Sequence, residues 1–95
     1  MMVKRFTFLV LLLSFVLLAS GCYYNQAKME MKNADQLLSQ LKNAGGQQKV
    51  PYEYTSAEKV LEVSRMEFDE YDYKAARDFA TRSKSAAQAG LAQAK

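Results

Sequence analysis

The hydrophobic positions of the chain fall into two regions with different patterns. From Phe6 to Leu18 nearly every residue is apolar, with Thr7 and Ser14 as the exceptions. From Gln26 onward the apolar residues recur every three or four positions, which is the spacing of one face of an α-helix. The pattern predicts an apolar N-terminal segment followed by amphipathic helices, and therefore an all-α fold.

The first amphipathic helix is predicted from about Gln26 to Ala44, after a short tether. It should end at the glycine pair Gly45–Gly46, because glycine adopts the left-handed conformation that closes a helix at little cost. Its apolar seam has the coiled-coil-like spacing of alternating threes and fours. The seam residues are Ala27, Met31, Ala34, Leu38 and Leu41.

Two further helices are predicted as an antiparallel hairpin. A flexible linker should come first, from Gly45 to Tyr54, because Pro51 disfavours helix in the residue before it. Thr55 and Glu58 then match a capping box, which would start a helix that ends near Phe68. The seam of this helix is Ala57, Leu61, Ser64 and Phe68.

The last helix is predicted from about Tyr73 to Gln93, with Asp72 as its N-cap. Its seam consists almost entirely of small residues, which let a neighbouring helix approach closely but bury little area. Gly90 lowers helix propensity, so we expect the last turns to fray unless something binds them. The seam is Tyr73, Ala76, Ala80, Ser83, Ala87, Gly90 and Ala94.

The N-terminus has the order of an export signal, in which basic residues precede an apolar run and a few small residues. Lys4 and Arg5 are the basic residues, and residues 19–21 are small. A membrane-spanning helix is the alternative, since it needs about 20 apolar residues and the run approaches that length if it is counted through to Tyr24. Length alone leaves both interpretations open.

The stretch Leu18-Ala19-Ser20-Gly21-Cys22 ends on the only cysteine and resembles the lipobox of bacterial lipoproteins. The resemblance implies that the signal is cut between Gly21 and Cys22. It also implies that Cys22 carries a covalent diacylglycerol and an amide-linked acyl chain, such as palmitate. Ala19 departs from the family pattern, in which leucine is commonest at that position.

The residue after the cysteine indicates in which membrane the protein is anchored. In enterobacterial lipoproteins an aspartate there retains the protein in the inner membrane, and this chain has Tyr23 instead. The resemblance therefore implies a lipid-anchored protein on the periplasmic face of the outer membrane.

The C-terminal half carries a second resemblance. Pro51 to Glu58 followed by Asp72 to Ala76 resembles a family of small α-hairpin lipoproteins of unknown function, and Tyr71 to Ala80 resembles the return helix of a tetratricopeptide-type hairpin. The resemblance implies a helical hairpin and no established activity. Some members of that family carry an OmpA-like peptidoglycan-binding domain downstream. This sequence has none, so peptidoglycan binding by that route is not implied.

The net charge and the small size of the chain limit the classes of function that the sequence supports. Removal of residues 1–21 takes Lys4 and Arg5 from the 13 basic residues and leaves 11 against 10 acidic ones, so the net charge falls from +3 to about +1. A nucleic-acid binder would carry a clustered basic face, and here the charges are mixed. A body of roughly 70 residues buries little core, so we expect an envelope protein or a second copy as partner.

Neither catalysis nor metal binding is predicted. The chain has no histidine to activate a serine, and its one thiol would be lipidated. The acidic residues Glu67, Asp69, Glu70 and Asp72 lack the alternating ligands and the glycine of a calcium loop, and they fit a solvated turn. We expect no enzyme activity and no cofactor beyond the lipid on Cys22.

Six tyrosines form the pairs Tyr23/Tyr24, Tyr52/Tyr54 and Tyr71/Tyr73. They suit either stacking on a glycan or partner helix, or half-exposed positions at the membrane surface and at the ends of the hairpin. The C-terminal Lys95 gives a resemblance to the murein lipoproteins, whose terminal lysine is joined to peptidoglycan. The glycine pair and Pro51 depart from the uninterrupted coiled coil of those proteins.

The sequence thus divides into a signal peptide (1–21), a lipidated tether and first helix (22–44), a linker (45–54) and an α-hairpin (55–95). We expect a lipid-anchored periplasmic scaffold or interaction module of the bacterial envelope. The alternative is a structural tether to peptidoglycan, either covalent through Lys95 or non-covalent. The residues expected to pack or to contact a partner are Leu61, Phe68, Tyr73, Ala76, Ala80 and Ala87.

Overall fold

A computed structural model describes residues 2–94, with the side chains of all of them except residues 2 and 16–21. Over that range the chain is almost entirely helical and contains no strand. The helices are α1 (Met2–Asn43), α2 (Gly46–Lys49), α3 (Pro51–Asp69) and α4 (Tyr73–Gln93). The predicted all-α fold is confirmed.

The second half of α1 packs with α3 and α4 as a three-helix bundle. Helix α4 contacts both α1 and α3 extensively, whereas α1 and α3 touch each other much less. Tyr24 meets Tyr73 at one end of the bundle, and Leu41 lies against Gly90 at the other. Helices α1 and α4 are therefore parallel, and α3 runs antiparallel to both.

We name the two ends of the bundle by their relation to the apolar N-terminal segment. The proximal end consists of the α1 turn at Tyr24, the end of α3, the α3–α4 turn (Glu70–Asp72) and the start of α4. The distal end contains a small apolar cluster of Leu41, Val50 and Tyr54, with Leu38, Leu91 and Ala94 packed around it. Helix α1 leaves the bundle at the proximal end.

Helices α3 and α4 are joined by two buried serine hydroxyls that bond in opposite directions. Ser64 Oγ on α3 donates to the Ala76 carbonyl at 2.6 Å, and Ser83 Oγ on α4 donates to the Ala57 carbonyl at 2.6 Å. Both serines are completely buried. The two bonds lie about two helical turns apart, so together they fix the antiparallel register of the hairpin.

The beginning of α3 differs from the prediction. The helix starts at Pro51, so Thr55 lies inside it and the predicted capping box does not form. Proline suits the first helical position, because its fixed φ is already helical and the N–H that it lacks would have no partner there. The restriction that proline imposes falls on Val50 alone, whose φ of −136° and ψ of 64° are not helical.

The segment from Gly45 to Tyr54 is folded, so the predicted flexible linker is wrong. Gly45 adopts a φ of 80° and closes α1 as expected. The chain then re-enters helix as α2, and Val50 and Tyr54 are buried against Leu41. The burial of these two side chains holds the segment in place.

The predicted tether before Gln26 is also wrong, because α1 runs without a break from Met2 to Asn43. No proline interrupts this stretch, and a single glycine such as Gly21 costs a helix only about 1 kcal/mol. The apolar segment and the first amphipathic helix are thus one continuous helix.

Helix α4 remains helical to Gln93, and its last turns are packed against the cluster around Leu41, which is the condition under which we expected them not to fray. A β-carbon at Gly90 would lie 2.8 Å from Leu41 Cδ2 and 3.2 Å from Glu53 Cβ. A β-carbon at Gly46 would lie 2.7 Å from the Leu41 carbonyl oxygen. Both glycines therefore make room for the buried Leu41, and the packing offsets the lower helix propensity of glycine.

Replacement of either buried serine by alanine should lower the free energy of unfolding by about 1 kcal/mol, because one buried hydrogen bond is lost. The double variant should lose about twice that, since the two bonds are far enough apart to act independently. Ser85 is exposed on α4, and Ser85→Ala is the matched control. Urea unfolding of the chain from residue 22 onward, carrying Cys22→Ser, measures all four variants. If Ser64→Ala and Ser83→Ala are as stable as Ser85→Ala, the hydroxyls do not hold the hairpin.

Candidate functional site

The apolar N-terminal segment is uncovered where its side chains are described. Phe6, Phe8 and Phe15 are each exposed over more than half of their surface. Among the helical stretches whose residues are described, none is both long enough and apolar enough to cross a membrane. The segment leads directly into the proximal end of the bundle, which makes that end the candidate functional site.

Cys22 lies on α1 where the helix joins the bundle. Its thiol is free, and the residue is exposed. Gly21, on the other side of the predicted cleavage site, belongs to the same helix. A signal peptidase accepts extended backbone, so cleavage between the two residues requires this turn of α1 to unwind.

Three aromatic rings, one from each long helix, close the proximal end of the bundle. The ring centroid of Tyr24 lies 5.4 Å from that of Phe68 and 5.0 Å from that of Tyr73, and Phe68 and Tyr73 are 5.1 Å apart. Their tilted and edge-on geometries are the favourable ones for aromatic pairs. This aromatic cluster fixes α1 to the hairpin only two residues after Cys22.

The α1–α4 interface next to the aromatic cluster is polar. Arg77 Nη1 donates to Gln26 Oε1 at 2.8 Å, and the Arg77 guanidinium lies 4.7 Å from the centroid of the Tyr23 ring. One turn further along α1, Glu30 Oε2 forms a 2.6 Å ion pair with Lys84 Nζ of α4. The sequence analysis missed this interface, because no local pattern pairs residues about fifty positions apart.

The residues that we expected to pack or to contact a partner separate into two groups. Phe68 and Tyr73 are half-buried members of the aromatic cluster. The others are buried inside the bundle, where no partner can reach them while the bundle is folded. In this structure they therefore pack against other helices of the same chain. They are Leu61, Ala76, Ala80 and Ala87.

The α3–α4 turn has the hydrogen bonds of a Schellman motif. The Tyr71 N–H donates to the Phe68 carbonyl at 3.0 Å, and the Asp72 N–H donates to the Glu67 carbonyl at 2.9 Å. This pattern places Tyr71 at the position where glycine is usual, with a φ of 66°. A left-handed conformation costs a residue with a β-carbon roughly 1–2 kcal/mol. Burial of the side chain does not offset this cost, since Tyr71 is 80% exposed.

The predicted N-cap of α4 is confirmed. Asp72 Oδ1 accepts a hydrogen bond from the Ala75 N–H at 3.1 Å. The acidic residues around it form an exposed turn, as expected. Within the described part of the chain, no histidine, cysteine or acidic side chains group in a way that could hold a metal ion.

The tyrosine pair at the distal end has one buried and one exposed member. Tyr54 is buried in the distal cluster, and burial, followed by the Glu58 carboxylate, raises the pKa of its hydroxyl above the ordinary value. Tyr52 is 80% exposed and lies in a shallow groove with Pro51, Thr55, Ser56, Lys59 and Val60. Lys95, the predicted site of a link to peptidoglycan, lies outside the described residues.

Comparison of the chain with known protein families, with characterised proteins and with solved structures found no match. The likeness of residues 18–22 to a lipobox, and of the C-terminal half to small α-hairpin lipoproteins, therefore rests on the sequence motifs alone.

Truncation of Tyr24 should release the part of α1 around residue 24 from the hairpin. In a Tyr24→Ala variant, we expect amide hydrogen exchange over residues 24–28 to rise about tenfold, which corresponds to about 1.4 kcal/mol of lost aromatic packing. Tyr24→Phe keeps the ring and should exchange like the parent chain. Exchange unchanged in Tyr24→Ala would show that the aromatic cluster does not secure α1.

Proposed function

We propose that the protein is a lipid-anchored helical scaffold or interaction module of the bacterial cell envelope, held by Cys22. The observation that carries the proposal is the position of this residue. Cys22 is an exposed thiol at the junction between an uncovered apolar segment and a packed three-helix bundle. Cleavage before Cys22 would remove the apolar segment and leave the bundle intact.

Several acyl chains on Cys22 would hold the bundle durably. Each buried methylene contributes about 0.8 kcal/mol, so a single chain binds a membrane only marginally whereas several give stable attachment. The lipid would take the place of the apolar segment at the same end of the molecule. Tyr23 at the position after the cysteine supports delivery to the outer membrane, with the bundle in the periplasm.

The bundle suits a scaffold because the small-residue seam of α4 is buried against α1 and α3, which leaves the outer faces of the helices free to bind a partner. Helix α4 places its alanines and Ser83 against α1 and α3, so a partner must use the outer surface. Self-association through the Ala/Ser/Gly seam, which the sequence favoured, would require the bundle to open. An envelope protein or a second copy would instead meet the exposed faces of the helices.

A structural tie to peptidoglycan is the second candidate, and one observation favours its non-covalent form. The exposed Tyr52 lies at the distal end, roughly 30 Å along α1 from Cys22. An exposed aromatic ring at that distance from the membrane is placed to stack on a glycan. The covalent form, through Lys95, stays a prediction.

The Cys22→Ser variant tests the anchor. We expect the intact mass of the membrane-extracted parent protein to equal residues 22–95 plus acyl groups, and Cys22→Ser to lose both the cleavage and the acyl mass. Ser20→Ala keeps a small residue before the cysteine and should be processed like the parent. A parent mass equal to the unmodified full chain would refute lipidation and indicate an uncleaved membrane anchor.

Co-sedimentation with purified peptidoglycan sacculi tests the second candidate. If Tyr52 stacks on glycan, Tyr52→Ala should reduce the bound fraction by several-fold, whereas Tyr52→Phe should not. Deletion of Lys95 should abolish any fraction that resists boiling in detergent if the link is covalent. Binding that survives both changes would exclude both routes.

A further inference from the structure

The exposed tyrosine of the α3–α4 turn contributes little to the packing of the bundle. Tyr71 is 80% exposed, and its ring touches the aromatic cluster only at the edge, 6.4 Å from the centroid of Tyr73. Its left-handed backbone would suit glycine better. The packing of the bundle therefore leaves most of this side chain unaccounted for.

The contacts of the proximal end place Tyr71 beside the anchor. Tyr71 neighbours Tyr73, Tyr73 packs edge-on against Tyr24, and Tyr24 follows Cys22 by two residues. Because the Tyr24 ring packs against Phe68 and Tyr73, only Tyr23 lies between the attachment point and a residue that is fixed to the bundle. The α3–α4 turn consequently faces whatever surface holds residue 22.

We propose that Tyr71 is a membrane-interface contact, whose ring inserts among the lipid headgroups of the leaflet that holds Cys22. Tyrosine suits this environment, because its ring enters the apolar boundary while its hydroxyl remains hydrated. The proposal rests on the proposed function in one respect, namely that the membrane lies at the proximal end.

The charges around Tyr71 determine which class of lipid headgroup the turn can approach. Asp69, Glu70 and Asp72 are exposed on the same turn, and Lys74 is the nearest basic residue along the chain. This excess of negative charge is unfavourable next to anionic headgroups. The contact therefore depends on the tyrosine ring and is made with zwitterionic lipid.

The chain contains no tryptophan, so a single substitution creates a site-specific fluorescent reporter. Tyr71→Trp reports on the proximal end. Tyr52→Trp is the matched control, because both tyrosines are 80% exposed and they lie at opposite ends of the bundle. Each variant is expressed from the full sequence, extracted from membranes and reconstituted into phosphatidylcholine vesicles, with and without bromine on the acyl chains.

We expect the tryptophan of the Tyr71→Trp protein to emit at shorter wavelength in vesicles than in detergent-free urea. Brominated lipid should quench most of this emission. Aqueous iodide should quench little of it, because the ring is shielded by the membrane. The Tyr52→Trp protein should keep its emission with brominated lipid and be quenched by iodide. Circular dichroism confirms that both variants retain the helical fold.

Two results would overturn the contact, and they are distinguishable. If both proteins float with the vesicles but Tyr71→Trp keeps its emission with brominated lipid and is quenched by iodide, the anchor stands and Tyr71 does not touch the membrane. If neither protein floats and neither carries acyl mass, the proposed function fails together with the contact.

Discussion

The architecture depends on the close approach of α4 to its two neighbours. An interface built from alanine, serine and glycine brings backbones so near that serine hydroxyls reach the carbonyls of the facing helix, as Ser64 and Ser83 do at 2.6 Å. A seam this narrow contributes little hydrophobic area. The hairpin gains its specificity from two buried hydrogen bonds, and α1 supplies the larger side chains that α4 lacks. The apolar cluster at the distal end and the aromatic cluster at the proximal end close the bundle at its two ends.

Much of this fold was predictable because the period of the apolar positions is a local property of the sequence. The seams of α1, α3 and α4 and the cap at Asp72 followed from spacing and side-chain chemistry alone. The errors came from reading Pro51 and the glycine pair as signs of flexibility. Proline also begins helices, and the burial of Val50 and Tyr54 outweighed any tendency of the segment to remain open. A local sequence pattern does not reveal that Val50 and Tyr54 are buried, because their burial depends on where Leu41 lies in the folded chain.

The candidate site was predictable only at Cys22, where a motif marks the residue. The other features of the proximal end arise from residues far apart in sequence. Tyr24 meets the hairpin through Phe68 and Tyr73, and Arg77 reaches back to α1. The six paired tyrosines are a visible feature of the sequence, but their different environments depend on how the helices pack. One member of each of the last two pairs is exposed, and those two exposed rings lie at opposite ends of the bundle.

The space around Leu41 has a consequence for how this protein can change during evolution. Its buried side chain lies against two glycines from different elements, Gly46 after the turn and Gly90 near the end of α4. A larger residue at position 90 is tolerated only if the residue at position 41 becomes smaller, and a smaller residue there leaves a cavity that only a larger neighbour can fill. Position 46 has no such freedom, because a β-carbon there would also meet the backbone carbonyl oxygen of residue 41, whatever its side chain. Among divergent relatives, position 46 should therefore stay glycine, and the size of residue 41 should be inversely related to the size of residue 90.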